Sequence, residues 1–325
     1  MHYQNPPTDG ILGPMRKENA RMDHYDIVPD LHGYHGKLDR LLDILGYRRH
    51  GESRRHPEGR KVVFLGDYLD RGPEVREVLH TVRGMVDSGD ALAILGNHES
   101  NALGFHACGP DGEPLRKHSE KNIRNHEATL RAFAGRDAEW REWLGWLGGL
   151  PLFLDLGELR AVHACWDDNA AGVLRDARFA DPEFLRAAHR VGSPEKDAVD
   201  ICLKGPEVHL PEGEVFRDKE GIERGCIRVR WWDLRPGLSL GEVCMPEPVD
   251  CPAPLKEKHL RRIPCYPLDA PMVAFGHYWL PSSMPRRPLR HNLVCLDFSA
   301  GLGGPLVACR WDGPSPEDWK FIEAN

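Results

Sequence analysis

No Cys-x-x-Cys pair occurs anywhere in the 325 residues, so zinc-ribbon and thioredoxin-type chemistry has nothing to rest on. The nine cysteines stand singly, and an odd number without an apolar leader suits a reducing compartment. Long hydrophobic runs are missing too, which leaves no candidate membrane span. The polar residues 1–22, broken by Pro6, Pro7 and Pro14, hold no signal-peptide core, so the cytoplasm is the expected location and no membrane partner is expected. Positive charge is scarce: 43 Lys and Arg against 50 Asp and Glu give a formal net charge of −7. Such a balance does not favour stable binding to nucleic acid or anionic lipid. An anionic substrate would therefore need a local source of positive charge.

The length fits a single large α/β domain, and hydrophobic content of 41% with 29% charged residues is ordinary for a globular chain. Tyr25 to Val28 reads as a strand. Leu38, Leu41, Leu42 and Leu45 follow at helical spacing. The apolar run 62–65 is a second strand, with a helix carrying Val75, Val78, Leu79, Val82 and Val86 after it. Residues 91–95 form a third strand. Strand, loop, helix, strand is the βαβ signature of parallel strands covered by helices. Residues 118–148 read as helical, and 159–164 and 271–275 as two further strands. Eight prolines between 236 and 271 rule out long helices and central strands there. The expected organisation is a lead-in over 1–23, one domain over 24–312 with an elaborated loop or cap at about 165–270, and a C-terminal tail over 313–325.

Five strand-like segments end in residues able to bind a cation: Asp30 and His32, Asp67, Asn97, His163 and His277. Sites in open α/β sheets collect at the carboxyl ends of strands. Carboxylate, amide oxygen and imidazole together suit a divalent ion such as manganese, iron or zinc. Asp67, with two oxygens, suits a bridge between two ions, and such a pair would supply the positive field that the composition lacks. A lone Asp-x-His-Gly is weak; Gly66 to Gly72 after a strand is far more specific, though an Asp-Arg turn with glycines can be structural, and Gly96 to Glu99 alone can be a tight turn with a helix cap. The order and spacing of all three N-terminal motifs, each after an apolar strand, argue against coincidence.

Pro29-Asp30-Leu31-His32-Gly33, Gly66-Asp67-Tyr68-Leu69-Asp70-Arg71-Gly72 and Gly96-Asn97-His98-Glu99, followed by Val162-His163-Ala164 and Gly276-His277, resemble the phosphoprotein-phosphatase branch of the calcineurin-like metallophosphoesterases. The bacterial serine/threonine phosphatases and symmetrical diadenosine tetraphosphatases are the nearer members. That resemblance implies a layered α/β/β/α fold with central mixed sheets and flanking helices. It implies two divalent ions, manganese first and iron, zinc, nickel or magnesium as alternatives. Asp30, His32, Asp67 and His277 would hold one ion, and Asp67, Asn97 and His163 the other. His98 would be the general acid, oriented by Asp70, and Arg71 would grip phosphate. A second phosphate-binding arginine is expected at Arg228 or Arg230. Pro29 replaces a glycine of the pattern and Cys165 another; neither change removes a ligand.

The resemblance implies hydrolysis of phosphomonoesters, with a phosphoserine or phosphothreonine protein or peptide as substrate. The alternative is a dinucleoside polyphosphate such as diadenosine tetraphosphate. A nucleic-acid end phosphatase fits the acidic composition poorly. An inactive binding scaffold would be expected to have lost Asp70, Arg71 or His98, all of which are present. Trp166, Trp231 and Trp232 could stack on a base or fill a core. The remaining histidines, His80 and His126 among them, carry no assignment.

Overall fold

The computed structural model describes residues 24–51, 53–217, 223–263 and 265–325; the lead-in over 1–23 lies outside them. Strand β1 (Tyr25–Val28) leads into helix α1 (His35–Leu45), β2 (Lys61–Phe64) into α2 (Val75–Asp87), and β3 (Ala91–Ala93) into α3 (Asn97–His106). The apolar spacing is the cause: Leu38, Leu41, Leu42 and Leu45 are the buried residues of α1. On α2 they are Val75, Val78, Leu79, Val82 and Met85, with Val86 only half-buried. The expected helical stretch divides into α4 (Glu120–Ala132) and α5 (Asp137–Gly149), separated at Gly135, whose φ of 71° breaks the helix. β4 (Phe153–Asp155) and β5 (Leu159–Val162) come next.

Part of the stretch expected as loop is helical: α6 (Asp168–Leu174), α7 (Pro182–His189) and α8 (Pro194–Lys204). Ser193 caps α8 through its hydroxyl and Pro194 opens it. β6 (Glu207–His209), β7 (Cys226–Val229) and β8 (Cys244–Met245) form a small antiparallel sheet. Among its described residues the proline-rich stretch holds β8 and the six-residue helix Glu257–Arg262, neither a long helix nor a central strand. β9 (Met272–Phe275), β10 (Leu293–Cys295), β11 (Leu306–Trp311) and β12 (Lys320–Ala324) complete the chain. The expected C-terminal tail thus ends in a strand, because Lys320–Ala324 pairs antiparallel along β11.

Two mixed sheets form the centre, ordered β12-β11-β1-β2-β3 and β10-β9-β5-β4. Within the first, β1, β2 and β3 are parallel; within the second, β5, β9 and β10 are. Alternate residues of each strand go to opposite faces. Ile27, Val63, Ile94, Leu159, Ala161, Ala274 and Val294 form the layer between the sheets. Val28, Val62, Phe64, Val162, Val273 and Phe275 face outward into the larger core. Burial of a Val, Leu or Ile side chain is worth about 1.5–3 kcal/mol, so both faces contribute. α1 packs on β11 and β12, and α2 on β3. On the other side Trp231 lies 5.3 Å from Phe275, ring centre to ring centre. The layering is α/β/β/α. Among the described residues no helix is long and apolar enough to cross a membrane.

Candidate active site

Parallel strands put their carboxyl ends on one side, so the sheets deliver the expected residues together. Asp30 and His32 follow β1, Asp67 to Arg71 follow β2, Asn97 opens α3 after β3, His163 follows β5 and His277 follows β9. The loops pass so close that side chains are excluded at two glycines. A Cβ on Gly96 would lie 2.2 Å from Asp67 Oδ1, and one on Gly276 would lie 2.1 Å from Asp30 Oδ1. Seven non-glycine residues with positive φ occur among the described residues; six are His32, Asp67, Asp70, Arg71, His277 and Trp279. That conformation costs about 1–3 kcal/mol each, and concentrated strain of this kind marks a site the fold over-determines.

Asp30, His32, Asp67, His163 and His277 are all at least 95% buried. His32 donates its Nδ1–H to Leu69 O (3.1 Å) and His163 its Nδ1–H to Leu65 O (2.8 Å). Each imidazole therefore turns a lone-pair-bearing Nε2 inward. His163 Nε2 lies 3.0 Å from Asn97 Oδ1 and 3.5 Å from Asp67 Oδ1, while His32 Nε2 lies 3.5 Å from Asp67 Oδ2. The buried Nε2 atoms of His32 and His277 have no hydrogen-bond partner among the described residues. Acceptors facing acceptors in a buried place want a cation between them. Among the described residues two groups form, each with its ligand atoms within 4.8 Å of one another: His32 with Asp67 and His98, and Asp67 with His163 and His277. His277 thus falls with His163 and not with His32, as the resemblance had implied, and His98 joins the first group. Asp67 is common to both, as a bridging carboxylate must be. Asp30 adjoins through its carboxylate, which accepts the His277 N–H at 3.2 Å. The residues fit a pair of divalent ions.

The electrostatics agree. Four carboxylates, Asp30, Asp67, Glu99 and Asp297, are exposed by 2% or less. Burial, with Asp297 and Asp67 nearby, raises the Asp30 carboxyl well above its ordinary range. Burial opposes ionisation of Asp67 as well, yet His163, His98 and His32 together hold it well below. Burial lowers His32 to about 3 and, with Arg228, His277 well below its usual value; both favour the neutral form that binds metal. At His163 burial is outweighed by Asp67 and Asp30, which raise the imidazole to about 10. A field that holds a proton so firmly there would hold a divalent ion in its place.

His98 sits beside this group. Its Nδ1–H donates to Asp70 Oδ2 at 2.6 Å and its Nε2 lies 3.9 Å from Asp67 Oδ2. Burial lowers its basicity, but Asp67 and Asp70 outweigh that and raise it. The Arg71 guanidinium lies 4.2 Å from the centre of the Trp279 ring. Arg228 Nη1 donates to His277 O at 3.3 Å, which brings it to the site. Arg230 is not brought there: it donates to Glu242 O at 2.6 Å and lines a separate hollow with Trp232 and Tyr266. Beyond Arg228 a cavity of about 370 Å³ opens, with Phe216, Met245, Arg217, Arg224 and Trp279 among its walls.

Trp166, Trp231 and Trp232 are buried core residues, and Cys165 is a fully buried thiol whose pKa burial raises. Several site residues carried no assignment from sequence. Glu99 accepts the N–H groups of Gly96, Asp67, Tyr68 and Leu69 at 2.8–3.1 Å, which fixes the Asp67 loop. Asp297 accepts from Trp279 N and Ser299 N at 2.8 and 2.9 Å. It follows β10 as the expected ligands follow their strands, so the strand-end rule would have marked it. Trp279, two residues after His277, gave no such signal.

The sequence model of calcineurin-like phosphoesterases matches residues 25–278. The asymmetrical bis(5'-nucleosyl)-tetraphosphatase PrpE of Halalkalibacterium halodurans is 43% identical over 74 residues, 23% of this chain and 30% of that protein. A symmetrical bis(5'-nucleosyl)-tetraphosphatase of Edwardsiella ictaluri is 24% identical over 311 residues, 88% of this chain and 92% of that one. The chain spans 30–57% of the length of four asymmetrical tetraphosphatases that it matches. Among solved structures, a serine/threonine phosphatase from Saccharomyces cerevisiae with similarity to human PP5 aligns over 93% of this chain and 80% of its own. Its sequence identity is 11% and its TM-score 0.46.

Proposed function

The chain belongs to the calcineurin-like phosphoesterase family and is a hydrolase, and from that premise we propose that it cleaves phosphoric anhydrides of nucleoside polyphosphates. The observation that carries the hydrolytic reading is Asp67, a buried carboxylate shared by two clusters of ligand atoms, one of which also holds His98. Asp30, His32 and Asp67 would hold one divalent ion, and Asp67, Asn97, His163 and His277 a second, since His277 lies with His163. When bound, such ions supply charge for the phosphoryl oxygens and lower the pKa of a water. Arg71, stacked on Trp279, and Arg228 present planar guanidinium groups to the non-bridging oxygens. As the P–O bond breaks, the protonated His98 gives its Nε2 proton to the departing oxygen, and the Asp70 carboxylate stabilises the imidazolium. The proton returns from solvent.

The substrate reading rests on the cavity beyond Arg228. At about 370 Å³ it lies at the small end of pockets that enclose small ligands, roughly 300–1,000 Å³. Phe216 and Trp279 on its walls suit a base, and Arg217 and Arg224 a phosphate chain. The relatives named tetraphosphatases support the same direction. A phosphoserine or phosphothreonine peptide would use the same chemistry with an alcohol as leaving group. Parallel assay of the manganese-loaded protein on an aryl phosphate, a phosphopeptide panel and diadenosine tetraphosphate separates the two. Tetraphosphate cleavage with the highest kcat/KM is the expected result; preference for the phosphopeptides would overturn the substrate assignment and leave the chemistry standing.

A further inference from the structure

Helix α4 is amphipathic in an unusual sense. Its only buried residues are polar: His126 and Thr129, three apart and so on one face. Both are directed at Asp70. His126 Nδ1–H donates to Asp70 Oδ1 at 2.8 Å, and the Thr129 hydroxyl donates to the same oxygen at 2.6 Å. The Thr129 oxygen in turn accepts the Asp70 N–H at 3.0 Å. The other carboxylate oxygen, Oδ2, takes the Nδ1–H of His98. His126 is itself fixed from behind, since its Nε2 lies 3.2 Å from Nε2 of the exposed His106.

A carboxylate attached through one rotatable bond could turn either oxygen toward His98 or swing away. Two donors on Oδ1 and one anchor on its own N–H remove that freedom. They also hold Asp70 in a left-handed conformation, φ 69°, that a non-glycine residue adopts only under constraint. With Oδ1 occupied, Oδ2 is the acceptor for His98, which fixes the Nδ1–H tautomer and aims Nε2 at the ligand cluster. Nothing in this arrangement is needed merely to pack the helix; an apolar pair would do that without the cost of burying polar groups.

We propose that His126 and Thr129 are positioning residues that lock Asp70 and thereby set the tautomer and aim of His98. This rests on the reading of His98 as general acid. His126→Leu removes one donor, His126→Asn restores an N–H in the Nδ1 position, and Thr129→Val removes the hydroxyl without changing shape. The first readout is the ¹⁵N spectrum of the His98 ring in zinc-loaded protein, recorded at a pH high enough that the ring is neutral, its signals identified by their loss in His98→Asn. Wild-type protein and His126→Asn should show a single Nδ1–H form, and His126→Leu and Thr129→Val a mixture. The second is turnover of phenyl phosphate, whose leaving group needs a proton, against p-nitrophenyl phosphate, whose leaving group needs one far less. His126→Leu should lower kcat on phenyl phosphate by about 10-fold or more, the scale seen when an outer hydrogen-bond partner is lost. The loss on p-nitrophenyl phosphate should be smaller, KM should stay unchanged, and His126→Asn should recover most of the rate. An unaltered His98 tautomer in both His126→Leu and Thr129→Val would overturn the proposal. If His98→Asn lost activity equally on both esters, the general-acid reading would fail, and the ring spectrum would still decide the positioning.

Discussion

At the scale of single residues, Asp67 concentrates the chemistry. Its carboxylate is within 3.5 Å of both His32 Nε2 and His163 Nε2 and accepts the His98 N–H at 2.9 Å. Its own N–H is held by Glu99. Asp67→Asn keeps the shape and removes the charge shared by the two clusters. The expected outcome is loss of both ions, read as metal per chain after gel filtration, with turnover lowered about 10²-fold or more. A variant that still carries two ions would remove Asp67 from the bridging role. Four of the site's residues, Asp30, Asp67, Glu99 and Asp297, are buried carboxylates that accept backbone N–H groups, and they explain why the loops tolerate so much left-handed backbone.

Among the elements, β12 answers a question that composition leaves open. Lys320–Ala324 pairs with β11 over five residues, Ala324 is buried and Phe321 and Ile322 are half-buried, and α1 packs against it. Deleting residues 320–325 exposes the edge of β11 and the flank of α1. A fall in melting temperature of about 5 °C or more is expected, because apolar surface on both elements would then face water. Differential scanning calorimetry checks it; an unchanged transition would make 313–325 the tail that its polarity suggests. α4 shows the converse. Its sequence has little apolar periodicity, because the face it buries is His126 and Thr129, so its role could not be found from a hydrophobic pattern.

For the whole molecule, the sheet pair stores buried negative charge in a chain already at net −7. Divalent ions would offset that charge, and ligands that bind the folded state alone stabilise it by mass action. Exhaustive chelation is therefore expected to abolish turnover and also lower the melting temperature, with manganese restoring both. Retained activity and an unmoved transition in metal-free protein would sink the two-ion reading.

The sequence by itself determined the elements and the ligand types. Short apolar runs placed β1, β2 and β9 and the 3.6-residue period placed α1 and α2, while Asp30, His32, Asp67, Asn97, His163 and His277 stood at strand ends, because local patterning and strand polarity are properties of short segments. Only the tertiary structure set Arg228 against His277 O and Arg230 in a separate hollow, sent Trp166, Trp231 and Trp232 into the core, and joined His126 and Thr129 to Asp70. Those outcomes depend on which residues of distant segments meet, and that is set by how the two sheets stack and where α4 docks. No local pattern carries that information.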